Sequence, residues 1–423
     1  MNGLLKRTAP LIAMLMLPLL SFTPSRSEAV VEGITGNTFN LTASTGYITT
    51  GDGGSLLVWG YGVNGGLAQY PGPTLIVNQG DLVTITLSNT DIPEPVSMIF
   101  PGQEGVTAIG GTSGLLTNEI TAGAAGSVTY RFTATNAGTY MYQSGTHMDL
   151  QVEINLMGAL IVRPAGAPVN QAYAHPDTKF DQEYLFLLTE MDPNIHNLVD
   201  AGLMNLVNNT EFHSVLWFIN GRNGPDTMAP ANLPWMPYQP YNCLPRTHPG
   251  EKLLLRVIGA GRELHPFHTH GNNFVQIARD GRLLESAPGA GPDLGVSDYT
   301  LQTLPGATYD AIFTWSGKEL GWDIYGHSAT DPMEPNEYAP DHGKPIPVIL
   351  PELQSLTFGG FYSGSPYLGT LGTLPPGEGG LNLNGGLFFI WHSHTEKELV
   401  NNDIFPGGMM TMLIIEPPGV PIP

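Results

Sequence analysis

The sequence predicts an all-β protein with two Greek-key β-sandwich domains. Gly and Pro are abundant, at 53 and 37 of 423 residues, and follow no period, which is typical of many strands joined by ordered loops. Residues 82–87 alternate apolar and polar side chains, as a half-buried strand does. A turn followed by an apolar strand occurs at 78–87 and again at 249–257, which indicates one fold used twice.

The first predicted domain covers residues 30–165 and is expected to be an antiparallel sandwich. Turns are predicted at 71–73 and 78–81, where Pro, Gly, Asn and Asp cluster. Apolar or alternating runs predict its strands at 56–62, 74–77, 82–87, 129–132, 138–142 and 158–162.

Residues 166–182 are interpreted as a linker, and residues 183–423 as the second domain. Its strands are predicted near 183–188, 218–221, 253–257, 274–277 and 409–415. A Pro/Gly-rich insert at about 325–386 interrupts this domain. Loops of that length in compact domains are usually functional, form interfaces or are disordered.

Residues 1–29 have the pattern of a secretory signal peptide. Lys6 and Arg7 precede a short apolar run at 11–20, and small residues flank Glu28 at a cleavage position. The run is too short for a membrane span, and no later span is predicted. We therefore expect a periplasmic or secreted protein.

Charge and cysteine content narrow the classes of function. The formal net charge is −21 and only 13% of residues are charged, which argues against a nucleic-acid partner because phosphate binding requires a basic surface. Cys243 is the single cysteine, so no internal disulfide can form. It is interpreted as a structural or incidental thiol in a Pro-rich loop.

Two histidine clusters indicate a metal site. His265, His268 and His270 lie within six residues, and His392 and His394 form a second cluster. Imidazole suits copper, zinc, iron and nickel. If the first cluster is a strand, His268 and His270 share one face and His265 points elsewhere, toward a second site.

Several motifs resemble the multicopper oxidase family, most closely its two-domain laccase branch. They lie at 71–74 with 78–81, 138–140 with 158–162, 220–221 with 225–226, 265–271, and 392–394 with 408–410. The match covers most of residues 55–164 and 184–417. The resemblance implies cupredoxin-like sandwiches, a type 1 copper that accepts electrons, and a trinuclear copper cluster that reduces dioxygen at a domain interface. It also implies a homotrimer.

The type 1 position departs from the family pattern. The family places a cysteine between the last two histidines, and this chain has Ser393. A serine hydroxyl cannot form the copper–thiolate bond of a blue copper site. The family's next histidine corresponds to Glu398, so His265 and Met409 are the ligands that remain.

The trinuclear position keeps half of its family ligands. The second domain retains His268, His270, His392 and His394. In the first domain, residues 99–102 and 143–145 replace both expected histidine pairs. Further contacts to a metal could come from Gln143, His147, Glu396 or Glu398.

These residues leave three functional hypotheses open. The first is a copper-binding protein related to multicopper oxidases, with fewer ions than four and with oxidoreductase chemistry on an unidentified small-molecule or metal substrate. The second is a metal-free cupredoxin-fold structural or assembly protein. The third is a periplasmic copper storage or delivery protein, in which Met409, Met410 and Met412 bind Cu(I).

Overall fold

A computed structural model describes residues 31–123, 126–345, 384 and 386–422. It confirms the all-β fold with two cupredoxin-like sandwiches. The predicted signal segment and residues 346–383 of the predicted insert lie outside the described residues. Within them, no helix is both long and apolar enough to cross a membrane. The predicted domain boundaries stay a prediction.

Within the described residues, the first sandwich contains eleven strands and one short helix. The helix α1 spans Met148–Gln151. The strands are β1 (Ile34–Thr35), β2 (Thr38–Thr49), β3 (Ser55–Val63), β4 (Gly72–Asn78), β5 (Leu82–Asn89), β6 (Thr107–Gly110), β7 (Thr112–Ser113), β8 (Asn118–Glu119), β9 (Val128–Thr133), β10 (Gly138–Gln143) and β11 (Met157–Arg163).

Among the described residues, the second sandwich contains twelve strands. The helix α2 (Pro193–Asp200), which Asp192 caps, buries Ile195 and Val199 in the apolar core of the first sandwich. The strands are β12 (Gln182–Met191), β13 (Leu216–Ile219), β14 (Arg246–Thr247), β15 (Lys252–Gly259), β16 (His265–Thr269), β17 (Phe274–Arg279), β18 (Arg282–Leu283), β19 (Val296–Asp298), β20 (Thr300–Thr303), β21 (Thr308–Thr314), β22 (Leu387–Ser393) and β23 (Met410–Ile415).

The sheets are mixed, so the prediction of an antiparallel sandwich was wrong in this respect. The first sandwich packs a sheet in the order β1-β4-β11-β10 against one in the order β3-β2-β5-β9-β6. Strands β1 and β4, β4 and β11, and β2 and β5 pair in parallel. Crossings between the two sheets place strands of the same direction side by side, and apolar alternation along the sequence does not reveal this.

The second sandwich repeats the arrangement with its own two sheets. One has the order β13-β12-β15-β21-β17-β18, with β19 also on β17, and the other has the order β14-β23-β22-β16-β20. The repeated turn is built alike in both sandwiches. The backbone N–H of Asn78 donates to Asp81, and that of His248 donates to Glu251. Gly80 and Gly250 supply the positive φ in these turns.

An apolar cluster joins the two sandwiches. From the first sandwich, Val58, Met141 and Ile161 contribute buried side chains. From the second, Leu187 and Phe218 pack against them. Burial of this shared surface favours one fixed arrangement of the two sandwiches over independent motion.

A buried ionic network crosses the same junction. Arg163 at the end of β11 donates two hydrogen bonds of 2.6 Å to Glu183 on β12. Arg256 donates to Glu183 at 2.5 Å and to Asp310 at 3.2 Å. Thr139 on β10 donates to Asp310 at 2.5 Å. Burial alone would raise the pKa of Glu183, but the two guanidinium groups outweigh it and lower that pKa to about 2.

Glu183→Gln should lower the free energy of unfolding by about 3–5 kcal/mol at neutral pH, because it leaves two buried guanidinium groups without their shared carboxylate. Chemical denaturation measures the change. The matched control is Glu319→Gln, which removes the carboxylate of an exposed pair with Lys318 and should change stability by less than about 1 kcal/mol. Equal effects of the two variants would contradict a structural role for the network.

Candidate metal centre

Strands β16 and β22 bring the two histidine clusters together. They pair antiparallel, with His268 opposite His392 and Phe267 opposite Ser393. Because side chains two residues apart share a face in a strand, this register places His270 and His394 beside that pair. The predicted common face of His268 and His270 is confirmed.

The four imidazole rings converge on one region. The ring centroid of His268 lies 4.8 Å from that of His270, 5.6 Å from that of His392 and 4.9 Å from that of His394. His270 and His392 are buried, and the side chain of His394 is 52% exposed. The cluster therefore opens to solvent on the side of His394.

Hydrogen bonds orient the rings. Nδ1 of His392 lies 2.6 Å from the carbonyl oxygen of Ser393 and can only donate to it, which leaves Nε2 as an acceptor. This Nε2 lies 3.3 Å from Nε2 of His270. Nitrogens about 2.0–2.1 Å from one tetrahedral ion lie roughly 3.3 Å apart, so this pair fits a shared ion. His268 Nδ1 lies 2.8 Å from the Thr300 hydroxyl.

Burial favours the neutral form of two of these imidazoles, His268 and His392. Burial lowers the pKa of His268, neighbouring histidines lower it further, and it falls to about 4. Burial also lowers the pKa of His392. Neutral imidazole is the form that ligates metal, so the cluster is prepared for a cation at neutral pH.

His265 lies at a different site, as the strand periodicity predicts. It is fully buried, with Nε2 2.8 Å from Glu190 and Nδ1 2.9 Å from Glu398. Burial would lower the pKa of His265, but the two carboxylates outweigh it and raise that pKa to about 9. We call this group the Glu190–His265–Glu398 triad. Both ring nitrogens are engaged, and the ring carries a proton at neutral pH.

Other side chains predicted near the type 1 position have structural contacts. Ser393 is fully buried, and its backbone N–H donates to the carbonyl of Met409 at 3.0 Å. Met409 itself is buried in the apolar core of the second sandwich, as is Cys243. Burial raises the pKa of the Cys243 thiol well above its usual value, which suits the predicted structural role.

The first sandwich presents different side chains at its corresponding segments. Ile99 and Gln143 pair with each other through backbone hydrogen bonds of 2.8 and 3.1 Å. His147 is the only histidine between residues 31 and 165, and its Nδ1 lies 3.0 Å from Glu94. Of the other predicted contacts, Glu396 lies 3.3 Å from His394 Nδ1, and Glu398 belongs to the triad.

Glu190 is the part of the triad that sequence reasoning missed. It lies on β12, in a strand whose side chains are nearly all buried. A carboxylate within such an apolar strand is the signal that could have identified it, because buried charges require partners. Its partner is 75 residues away along the chain, so the sequence alone does not name it.

Comparisons with known proteins point to one family. A family model described as multicopper oxidase matches residues 49–167. An L-ascorbate oxidase from Cucumis sativus is 37% identical over 105 residues, which are 24% of this chain and 17% of that protein. The iron transport multicopper oxidase FET3 of Saccharomyces cerevisiae is 28% identical over 196 residues, which are 46% of this chain and 26% of that protein.

Solved structures share the fold. A blue copper oxidase from Nitrosomonas europaea has a TM-score of 0.56 and 19% identity, covering 89% of this chain and 85% of that chain. The multicopper oxidase mgLAC has a TM-score of 0.57 and 19% identity, covering 91% and 87%. The aligned regions span about a sixth to a quarter of the two curated relatives.

Stability should depend on pH through the triad. Since the pKa of His265 is raised from 6.5 to about 9 on folding, its contribution, on the order of 3 kcal/mol, is complete below pH 6.5 and disappears as the pH rises through 9. We expect Glu398→Gln to lower the free energy of unfolding by about 2 kcal/mol at pH 6, and the difference from wild type to shrink toward pH 9.

Denaturation at several pH values measures this difference. Glu396→Gln is the matched control, since its side chain is 78% exposed and lies two residues away. A gap between wild type and Glu398→Gln that stays constant from pH 6 to pH 10 would contradict a protonated His265.

Proposed function

We propose, from the confirmed resemblance of this chain to the multicopper oxidase family, that it binds one copper ion through His268, His270, His392 and His394. The observation that carries the proposal is the 3.3 Å approach of two Nε2 atoms within a cluster of four imidazoles. Copper is the divalent first-row ion that nitrogen ligands bind most tightly. Copper, when bound, supplies one-electron redox chemistry.

We propose further that the type 1 copper site is lost and that its place is taken by a protonated histidine. Ser393 supplies no thiolate, and the Glu190–His265–Glu398 triad engages both nitrogens of the remaining imidazole. The protonated His265, with its two carboxylate partners, supplies the positive charge that a bound metal cation would supply at this buried position. The chain thus resembles the oxidases in fold and lacks residues for their electron entry site.

The role of this chain's residues is then to hold the ion and control access to it. Trp391 donates from its indole N–H to the carbonyl of His270 at 2.9 Å and fixes the backbone there. The exposed side chain of His394 is on the open side of the cluster. An unidentified small molecule or second metal ion would approach from this side, so oxidoreductase chemistry and copper delivery both remain part of the proposal.

The burial of the methionines favours a packing role for them over a Cu(I) site. Met409 and Met410 are buried, in or directly before the closing strand β23. Met is ordinary packing in such strands. The alternative function is that of a metal-free structural protein. Measurement of bound copper distinguishes it from the copper-binding function.

Location and assembly are also proposals. The features of residues 1–29 support a periplasmic or secreted protein. Apolar residues next to the cluster support the predicted homotrimer: Tyr299, 56% exposed, lies 5.5 Å from the His268 ring, and Leu294 and Val296 nearby in sequence are 55% and 52% exposed. An assembly that covered them would also enclose the open side of the cluster.

Purified protein supplied with copper should contain a copper that depends on the cluster. Elemental analysis after removal of loosely bound metal should show one more copper per chain in the wild type than in His268→Ala/His392→Ala. The double variant His175→Ala/His213→Ala removes two histidines that contact none of the cluster and should retain wild-type copper. Equal copper in all three proteins, or none in any, would contradict the proposal and favour the metal-free scaffold.

A further inference from the structure

We propose that Asp323, His327, Glu337 and His342 form a second metal site, which binds zinc or a similar divalent transition ion. We call these four residues the loop site. They lie in the segment that follows β21 and share no residue with the four-histidine cluster. This inference is independent of the proposed function.

Three of the contacts among the four groups have the spacing of ligands around one ion, and the fourth, 2.7 Å between His342 Nδ1 and Glu337 Oε1, is a hydrogen bond that a bound ion would replace. One ligand atom from each residue can be chosen so that all four lie within 4.8 Å of one another. Nδ1 of His327 lies 3.5 Å from Asp323 Oδ2 and 3.6 Å from Glu337 Oε2, and Nδ1 of His342 lies 3.6 Å from Asp323 Oδ2. Ligands at about 2.0–2.2 Å from a tetrahedral ion lie roughly 3.3–3.6 Å apart.

His327 gives the strongest indication of a ligand. Its Nδ1 is buried and has no hydrogen-bond partner, although it faces two carboxylates. The distances are too long for good hydrogen bonds. The ring of Tyr325 stacks on His327 at 5.3 Å with an interplanar angle of 14° and holds the imidazole in this orientation. An ion between His327 and the carboxylates would satisfy the nitrogen.

The charges of the loop site also call for a cation. The side chains of Asp323 and Glu337 are 0% and 3% exposed. Among the described residues, their ion-pair partners are His327 and His342, and no Lys or Arg pairs with either carboxylate. Buried carboxylates are usually paired or coordinate metals. Two carboxylates and two neutral imidazoles together balance a divalent ion.

The backbone around the loop site is anchored. Trp322 and Ile324 on either side of Asp323 are buried in the core of the second sandwich. The carboxylate of Asp323 accepts backbone N–H groups from Tyr325 at 2.9 Å and Gly343 at 2.8 Å. The carboxylate of Glu337 accepts from Glu334 N–H at 2.8 Å. Such outer contacts orient ligands before metal arrives.

The ligand set identifies the kind of ion and its role. Imidazole nitrogens and carboxylate oxygens both bind zinc, and two of each can fill the four positions of a tetrahedral ion, as protein ligands do in structural sites. Because the ligands span residues 323–342, the bound ion would fasten this segment to the sandwich at both of its ends. The inferred role of the ion is to stabilise the segment after β21 by cross-linking it.

The test uses the full chain carrying His268→Ala/His392→Ala, so that the four-histidine cluster does not contribute. After chelator treatment, calorimetric titration with zinc should show one site per chain. Adding His327→Gln should weaken zinc binding beyond the roughly 10- to 100-fold typical of losing an outer-sphere contact. It should leave the melting temperature of the metal-free protein nearly unchanged, because Nδ1 has no hydrogen bond to lose.

Asp331→Asn is the matched control. It removes a carboxylate from the same segment, where Asp331 accepts hydrogen bonds from Ser328, and it should retain full zinc affinity. The proposal is overturned if the parent binds no zinc, or if His327→Gln binds zinc as tightly as the parent. Because the parent lacks two histidines of the cluster, these results do not depend on whether copper binds there.

Discussion

The pairing of β16 with β22 is the constraint on which the candidate metal centre depends. Its register, with His268 opposite His392, joins two histidine clusters that are more than 120 residues apart in the chain. A shift of the pairing by one residue would turn one of the two clusters to the opposite face of the sheet. Buried Phe267 and Trp391 on the same strands hold the register, so the geometry of the imidazoles follows from packing in the core beneath them.

At two places in this molecule, buried carboxylates are paired with buried cations. At the junction of the sandwiches, Arg163 and Arg256 neutralise Glu183. In the triad, a protonated imidazole lies between Glu190 and Glu398. In each case a cation and its carboxylates are enclosed together, because an isolated buried charge is strongly unfavourable.

The loop site differs from these two because its carboxylates have no complete cationic partner among the described residues. The histidines there supply contacts to Asp323 and Glu337, yet one imidazole nitrogen has no hydrogen bond. This contrast separates the triad, which a proton completes, from the loop site, which a metal ion would complete. The four-histidine cluster contains no carboxylate among its rings and favours a cation through neutral nitrogen ligands alone.

Features governed by local spacing could be predicted from the sequence. The alternation at Val83, Ile85 and Leu87 identified a strand whose apolar side chains are buried. The even and odd spacing of His268, His270 and His265 predicted which rings share a face. From the family resemblance we expect that residues 99–102 and 143–145 replace the first-domain histidines, and in the structure Ile99 and Gln143 of these segments pair with each other.

Features that depend on long-range contacts could not be predicted. The parallel pairs β2–β5 and β12–β15 arise from chain crossings that period-two patterns do not encode. Glu190 meets His265 only because their strands are brought together in the fold. No regular spacing links His327 and His342 with Asp323 and Glu337, so the sequence alone does not show that these four residues meet.

Electron paramagnetic resonance of the His327→Gln protein loaded with one equivalent of copper tests the central claim most directly. We expect a single Cu(II) species whose hyperfine structure shows three or more imidazole nitrogens, with no copper–thiolate absorption. A copper species bound mainly through oxygen, or one that persists unchanged in His268→Ala/His392→Ala, would contradict a metal centre at the paired strands.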